Sequence, residues 1–361
     1  MKWTARAVIV WVVVWAGAVG NGAEGGGGKV SGGTFYNPLL PTGPDPWVTS
    51  KDGYYYFMAS TRTNLMIRKT RSIPDLKSAE KKVVWTPPSS GPYSAEIWAP
   101  ELHFLRGKWY IYFAADDGNN VSHRLWVLEN GSADPLQGKW TMKGKLADPS
   151  DKWAIDGSVF ELKNQLYAIW SGWEGDTNGQ QNIYIAAMSN PWTIHGRRVL
   201  LSSPTLVWER IGDLSGEPSH VNVNEGPEVL MHGDKIFLVY SASGCWTDYY
   251  CLGMLSASVT SDLLEASSWE KSPAPAFAQK ASAHAYGTGH NSFFKSPDGT
   301  EDWLIYHANP EPGQGCERMR SPRAQPFHWN ADGTPNFGEP LPLEEAVKRP
   351  AGEGWKVISN Q

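Results

Sequence analysis

The chain has 361 residues, 41% of them hydrophobic and 19% charged, with a formal charge of −5, so it can bury a large core as one large or two ordinary domains. An acidic balance without any Lys/Arg-rich run excludes nucleic acid and anionic membrane as partners. No spacing among its three cysteines and nine histidines resembles a zinc site.

At the N-terminus, Lys2 and Arg6 flank the start of an apolar run from Ala7 to Val19, with small residues at Ala16, Ala18 and Ala23. This is the layout of a signal peptide, and the run is too short to span a bilayer. Residues 1–23 are expected to direct secretion to the extracellular space. Residues 24–33, EGGGGKVSGG, then read as a Gly-rich leader with nothing to bury, and 34–361 as the single folded domain. Asn120-Val121-Ser122 and Asn130-Gly131-Ser132 are glycosylation sequons, meaningful in a eukaryotic source.

Five aromatic and β-branched runs follow in chain order: YYYFMAS at 54–60, KWYIYFAA at 108–115, QLYAIWSGW at 165–173, KIFLVYSAS at 235–243 and DWLIYHAN at 302–309. Each reads as a strand bounded by turn residues. Immediately upstream of each lies a shorter strand signal, in turn DPWV, WAPELHF, DGSVFEL, EGPEVLM and HNSFF, so a hairpin recurs five times. Aligning the hairpins places Asp45, Trp98, Asp156, Glu225 and His290 at one shared position before the first strand, recurring every ~50–70 residues, the period of a four-stranded unit repeated around an axis. The predicted architecture is all-β, a five-bladed β-propeller in which equivalent residues converge on a central channel. A β-sandwich would give no reason for five matching hairpins. Helical signal is confined to short stretches such as LEEAV at 343–347.

In the segment NEGPEVLM, Glu225 takes the shared position, whereas Glu228 aligns with Val48, Glu101, Val159 and Phe293 inside the strands. Glu225 is therefore the channel candidate. Three carboxylates near one axis, Asp45, Asp156 and Glu225, repel one another as anions, which raises at least one pKa and suits one group to be an acid while another stays a base. No paired cation is evident in the flanking sequence. Carboxylates in a secreted acidic chain with 19 Trp and 14 Tyr point to glycosidic-bond hydrolysis, since aromatic faces stack on sugars. Taken singly, each residue has a structural alternative: Asp45 starting an Asp-Pro turn, Asp156 capping a hairpin, Glu225 accepting backbone N–H groups, His290 and Trp98 belonging to the core. A non-catalytic carbohydrate-binding propeller is the rival class, but it has no need of Asp45 and Glu225 together.

The cysteines leave two readings. Cys245 and Cys251, in GCWTDYYCLG, are spaced to close a small loop and leave Cys316 over; otherwise all three are free thiols.

The segments NPLLPTGPDPWV, IWAPELHFLRGKWYIYFAA, WAIDGSVFEL, NEGPEVLMHGDKIFLVYSA and GTGHNSFF, in that order, resemble glycoside hydrolase family 43 from about Tyr36 to Trp329. The resemblance implies a five-bladed propeller and inverting hydrolysis of arabinose- or xylose-containing plant polysaccharides. By motif match it makes Asp45 the general base, Asp156 the pKa modulator that orients the acid, and Glu225 the general acid. It makes His290 the central histidine beside a calcium ion held mostly by water, with no organic cofactor. Arg320 in MRSPRAQPFHW matches the substrate-binding arginine, with Arg323 as a rival, and Trp98 and Trp246 are expected to contact substrate. The stretches around Trp246 and Arg320 look most like exo-acting α-L-arabinofuranosidase members; β-xylosidase and endo-arabinanase are the alternatives. Without the C-terminal β-sandwich of xylosidase-type members, loops such as 174–182 and 212–222 are expected to close the pocket, and the protein to act as a monomer.

Overall fold

The structure, a computed structural model, describes residues 33–212 and 221–353, all within the compact unit Gly32–Gln361. The expected signal peptide and all of the leader except Gly33 lie outside the described residues, as do 213–220 of the second expected pocket loop. No helix among the described residues is long and apolar enough to cross a membrane.

All five predicted hairpins form. Their first strands are Trp47–Lys51, Ala95–Leu105, Ala154–Leu162, Asn222–His232 and Tyr286–Lys295. Each pairs antiparallel with the next strand in the chain: Tyr54–Met58, Lys108–Asp116, Gln165–Gly172, Lys235–Ala242 and Asp302–Asn309. Two further strands complete each meander of four. The third and fourth meanders join through a short parallel pairing of Gln180 and Gln181 with Asn222 and Val223, which makes one eight-stranded sheet. The first strands of successive meanders touch one another, and the fifth touches the first, so they close a ring.

Apolar side chains explain this closure. The second strands are buried on both faces; in KWYIYFAAD every residue after Lys108 is buried, which requires a layer on each side of the sheet. Five apolar clusters fill the spaces between neighbouring meanders. One joins Tyr56, Met58 and Ile67 of the first meander to Trp109, Ile111 and Phe113 of the second. Another joins Phe294, Trp303 and Ile305 of the fifth to Tyr55 and Phe57 of the first. Thr34–Phe35 pairs with Val347–Lys348, and Asn37 exchanges two hydrogen bonds with the backbone of Ala324, tying the N-terminal segment onto the fifth meander. LEEAV at 343–347 forms turns and the start of that short strand rather than a helix. Val347, buried between the first and fifth meanders, overrides the helical propensity of a few exposed residues.

The expected alignment of the channel residues needs a one-residue correction. Asp45, Ala99, Asp156, Gly226 and His290 all adopt left-handed backbone conformations, with φ between 41° and 57°. In the second to fifth meanders this residue lies in a bulge, where the register with the second strand shifts. The extra residue of a bulge is invisible to an alignment built on apolar alternation. Trp98 and Glu225 therefore precede the repeated position by one residue. Glu228 in turn is equivalent to Trp47, Glu101, Ser158 and Ser292, each two residues past the left-handed one and paired with Val239, Met58, Tyr112, Ile169 and Ile305 respectively.

The disulfide is Cys245–Cys316, and Cys251 is a free, buried thiol; the expected Cys245–Cys251 loop does not form. Cys251 begins a strand paired to Ala242 and points into the core between the third and fourth meanders, while the 310–320 loop of the fifth meander packs against Trp246 through Gly315. The bridge thus links two loops far apart in sequence.

Candidate active site

Asp45, Asp156, Glu225, Trp98, Trp246, Arg320 and His290 all line one cavity of about 890 Å³, near the upper end of the usual range for small-molecule sites. Arg323, the rival of Arg320, is fully buried elsewhere, its guanidinium bonded to the carbonyls of Ala283 and His284. Asn178 and Gln181, from the first expected pocket loop, reach the cavity wall.

Asp45 is surrounded by donors. Arg320 Nη1 donates to its Oδ1 at 2.8 Å, and Ser60 Oγ donates to its Oδ2 at 2.6 Å. The Nδ1 atoms of His290 and His307 lie 3.4 and 3.6 Å from Oδ1. Burial alone would raise this carboxyl, but Arg320, the two imidazoles and the Ser60 bond reverse that and hold it well below the ordinary aspartate value. The cation missing from the flanking sequence arrives from the other end of the domain.

Asp156 and Glu225 are pushed the other way. Burial raises Glu225 to about 7, with the Asp45 charge adding to it and the Tyr250 hydrogen bond and Arg320 opposing it. Burial, Glu225 and Asp45 together raise Asp156 well above the ordinary value. Asp156 Oδ2 accepts the backbone N–H of Gly226 at 3.0 Å, next to Glu225, so it fixes the backbone that carries this side chain. Gly226 is required: its φ is 54°, and a Cβ there would sit 3.3 Å from His290 Nδ1.

A second repeated position, missed in the sequence, supports the first. Ser60, Ala114, Ser171, Ser241 and His307 are equivalent residues near the ends of the second strands. Ser60 Oγ accepts from Ala99 N–H at 2.7 Å, Ser241 Oγ from His290 N–H at 2.8 Å, and His307 Nδ1 from Asp45 N–H at 3.1 Å. Each thereby satisfies the left-handed residue of the next meander around the ring. Ala114 has no side-chain acceptor, and Ser171 donates instead to Asn224 O. Aligning AST, FAA, WSG, YSA and YHA at the ends of the five runs would have exposed this ring.

The residues two past the left-handed position form a deeper tier. Ser158 Oγ donates to Glu228 Oε2 at 3.2 Å, and Glu101 Oε2 lies 2.9 Å from His103 Nε2. Burial raises both Glu101 and Glu228 well above the ordinary glutamate value, and the nearby Glu101 raises Glu228 further, which keeps them from competing as anions with Asp45. Aromatic walls complete the cavity. Trp98 stacks on His123 with centroids 4.0 Å apart and donates Nε1–H to Glu96; Trp153 and Trp173 stack at 4.7 Å and 9°.

A depressed carboxyl and a raised one in the same cavity have the opposite protonation that a base and an acid of one reaction require. The model of glycosyl hydrolases family 43 matches residues 35–335. The chain belongs to this family. Within family 43 it is 42% identical to an extracellular exo-α-(1→5)-L-arabinofuranosidase of Streptomyces avermitilis, over 85% of this chain and 64% of that protein. It is 37% identical to α-L-arabinofuranosidase 43 of Humicola insolens, again over 85% of this chain and 64% of that protein. The chain thus spans about two-thirds of the length of these two relatives. The crystal structure of an α-L-arabinofuranosidase from Lactobacillus brevis superimposes with a TM-score of 0.80 at 37% identity, covering 86% of this chain and 98% of that one.

Proposed function

We propose that this family 43 chain is a five-bladed β-propeller and a secreted, inverting, exo-acting α-L-arabinofuranosidase that removes L-arabinofuranose from arabinan or arabinose-substituted plant polysaccharides. The opposite displacement of two carboxyls carries the reading: Arg320 keeps Asp45 ionised, and burial keeps a proton on Glu225 up to about pH 7. Asp45 takes the proton from a water that attacks the anomeric carbon, while Glu225 gives its proton to the glycosidic oxygen as the C–O bond breaks. The sugar is released with inverted configuration, Asp45 protonated and Glu225 ionised; proton exchange with solvent restores both. Asp156 holds Glu225 in place through Gly226 and, as its nearest competing acid, keeps the pair from ionising together. Trp98 and Trp246 contact sugar faces and Arg320 the substrate hydroxyls.

The ring of five first strands and the five inter-sheet clusters support the propeller. Substrate class rests on relatives named arabinofuranosidases at 37–42% identity, and secretion on the N-terminal pattern together with relatives named extracellular. A calcium ion beside His290 completes the proposal. Calcium prefers oxygen ligands, so an ion beside His290 would be held mainly by water. Bound there, the ion would supply positive charge beneath the sugar and hold His290 in orientation.

The deciding experiment incubates the protein with 4-nitrophenyl α-L-arabinofuranoside and the matching β-D-xyloside, and follows the first sugar released by NMR. Release of β-L-arabinofuranose from the arabinoside, and little from the xyloside, is expected. A retained anomer, or preference for the xyloside, overturns the mechanism or the substrate assignment respectively.

A further inference from the structure

Tyr250 was not singled out by its sequence, yet its hydroxyl donates to Glu225 Oε1 at 2.9 Å. The residue is 1% exposed and sits immediately before the strand Cys251–Ser258 of the fourth meander. Its ring stacks on His307 of the fifth meander, centroids 5.7 Å apart and planes 7° from parallel. His307 is itself fixed, because its Nδ1 accepts the Asp45 backbone N–H at 3.1 Å. One stacked pair of rings therefore grips both carboxylate-bearing residues, Glu225 by its side chain and Asp45 by its backbone. Space is reserved for this: a Cβ on Gly289 would lie 2.3 Å from Tyr250 Cε1, so any larger residue would drive the ring off its partner.

A carboxylic acid has two oxygens, and only one can deliver a proton to the leaving group. A phenol that donates to Oε1 makes Oε1 the carbonyl oxygen and leaves the proton to Oε2. We propose that Tyr250 is a positioning residue for hydrolysis: its hydroxyl directs the proton of Glu225 onto Oε2, and its stack with His307 fixes the spacing between acid and base. This rests on the reading of Glu225 as the general acid. The groups facing Glu225 are Tyr250, Asp156, Asp45 and Arg320. Among them Tyr250 is the neutral donor, and its bond favours the ionised carboxylate, offsetting part of the effect of burial.

Tyr250→Phe keeps the ring and its stack and removes only the hydroxyl. Expected are a loss of about 10- to 100-fold in kcat on an arabinobioside, whose leaving group needs a proton, and a loss under about fivefold on the 4-nitrophenyl arabinoside, which needs little. KM should stay within about twofold, and the basic limb of the kcat/KM profile should move upward. Gly289→Ala, which displaces the ring with the hydroxyl intact, should reproduce the bias between the two substrates. Equal losses on both substrates with an unmoved basic limb would leave Tyr250 a packing residue and overturn the inference. Glu225→Gln separates the two readings. If it shows the leaving-group bias and Tyr250→Phe does not, only the Tyr250 inference fails; if Glu225→Gln lacks the bias, the acid assignment fails first. Adding Tyr250→Phe to Glu225→Gln should cost little more, since the hydroxyl acts through the proton that the first change removes.

Discussion

Arg320 and Asp45 lie at opposite ends of the domain sequence, yet the guanidinium reaches the carboxylate at 2.8 Å with both side chains largely buried. The contact is possible because the fifth meander closes against the first, and the Arg320 carbonyl accepts the Gly43 N–H at 3.0 Å along the same seam. It helps hold the proposed base ionised to well below the pH at which an ordinary aspartate takes up its proton.

Removing that charge should therefore alter the acid side of the pH profile. Arg320 lowers the Asp45 carboxyl, so in Arg320→Gln the acidic limb of kcat/KM should move to higher pH, with a loss of about 10- to 100-fold at the optimum, within the range for one general-base contribution. Measuring kcat/KM against pH for both proteins checks this. An unmoved acidic limb with KM alone raised would confine Arg320 to substrate binding.

Glu225 has its carboxyl pushed up to about 7. A general acid must be protonated to work, so kcat/KM in the native protein should fall as pH rises through about 7. Glu225→Gln should abolish that basic limb and lower activity on unactivated arabinosides by about 10²- to 10⁴-fold. Activity on aryl arabinosides with good leaving groups should fall much less. Persistence of the basic limb in the variant would assign it to another group.

Asp156 and Glu225 titrate as a pair, and the Asp156 carboxyl is raised partly by Glu225. Asp156→Asn keeps an acceptor for the Gly226 N–H but removes the competing acid, so the upper of the pair's two apparent pKa values should vanish. The basic limb is expected to shift downward and the rate to fall. A lower rate with the limb in place would leave Asp156 a purely orienting role.

The Cys245–Cys316 bridge joins two loops that carry Trp246 and Arg320 to the cavity. Replacing both cysteines by serine should cost about 2–4 kcal/mol of stability, read as a lower Tm, and should raise KM more than it lowers kcat. Cys251 is 3% exposed. A thiol reagent should find no reactive group in the native protein and one after denaturation without reductant. Two or more thiols in that second measurement would rule out the bridge.

Chelation tests the ion. Exhaustive EDTA treatment should lower activity, calcium should restore it, and His290→Ala should remove the response to both. Full activity after chelation, verified by elemental analysis of the treated protein, would leave His290 with its ring beside Asp45, its backbone N–H bonded to Ser241 and no metal.

The hairpins, the all-β class and the acidic residues of the site were legible because their signals are local. Two-residue alternation, turn residues at the strand ends and a carboxylate beside Gly or Pro recur within windows of a few residues, and five recurrences identify a repeat that no one window could. The aligned position was nearly right for the same reason, and wrong by one at Trp98 and Glu225 because a bulge adds a residue without changing the apolar pattern.

What only the tertiary structure decided was which distant groups meet. Arg320 beside Asp45, His307 stacked on Tyr250 and Cys316 bonded to Cys245 are contacts across the seams between neighbouring meanders, and Tyr250 on Glu225 joins distant segments of the fourth. None leaves a periodic trace in the chain. Residue types and strand pattern specify the carboxylates, but their protonation is a matter of burial and of neighbours brought from other meanders. Asp45 lies on the bend before its strand and Glu225 within its strand, at the edge of the bulge. The arginine that reaches Asp45 holds the first carboxyl ionised, and burial in the cavity keeps a proton on the second against the pull of Tyr250, the opposite displacement that the proposed base and acid need.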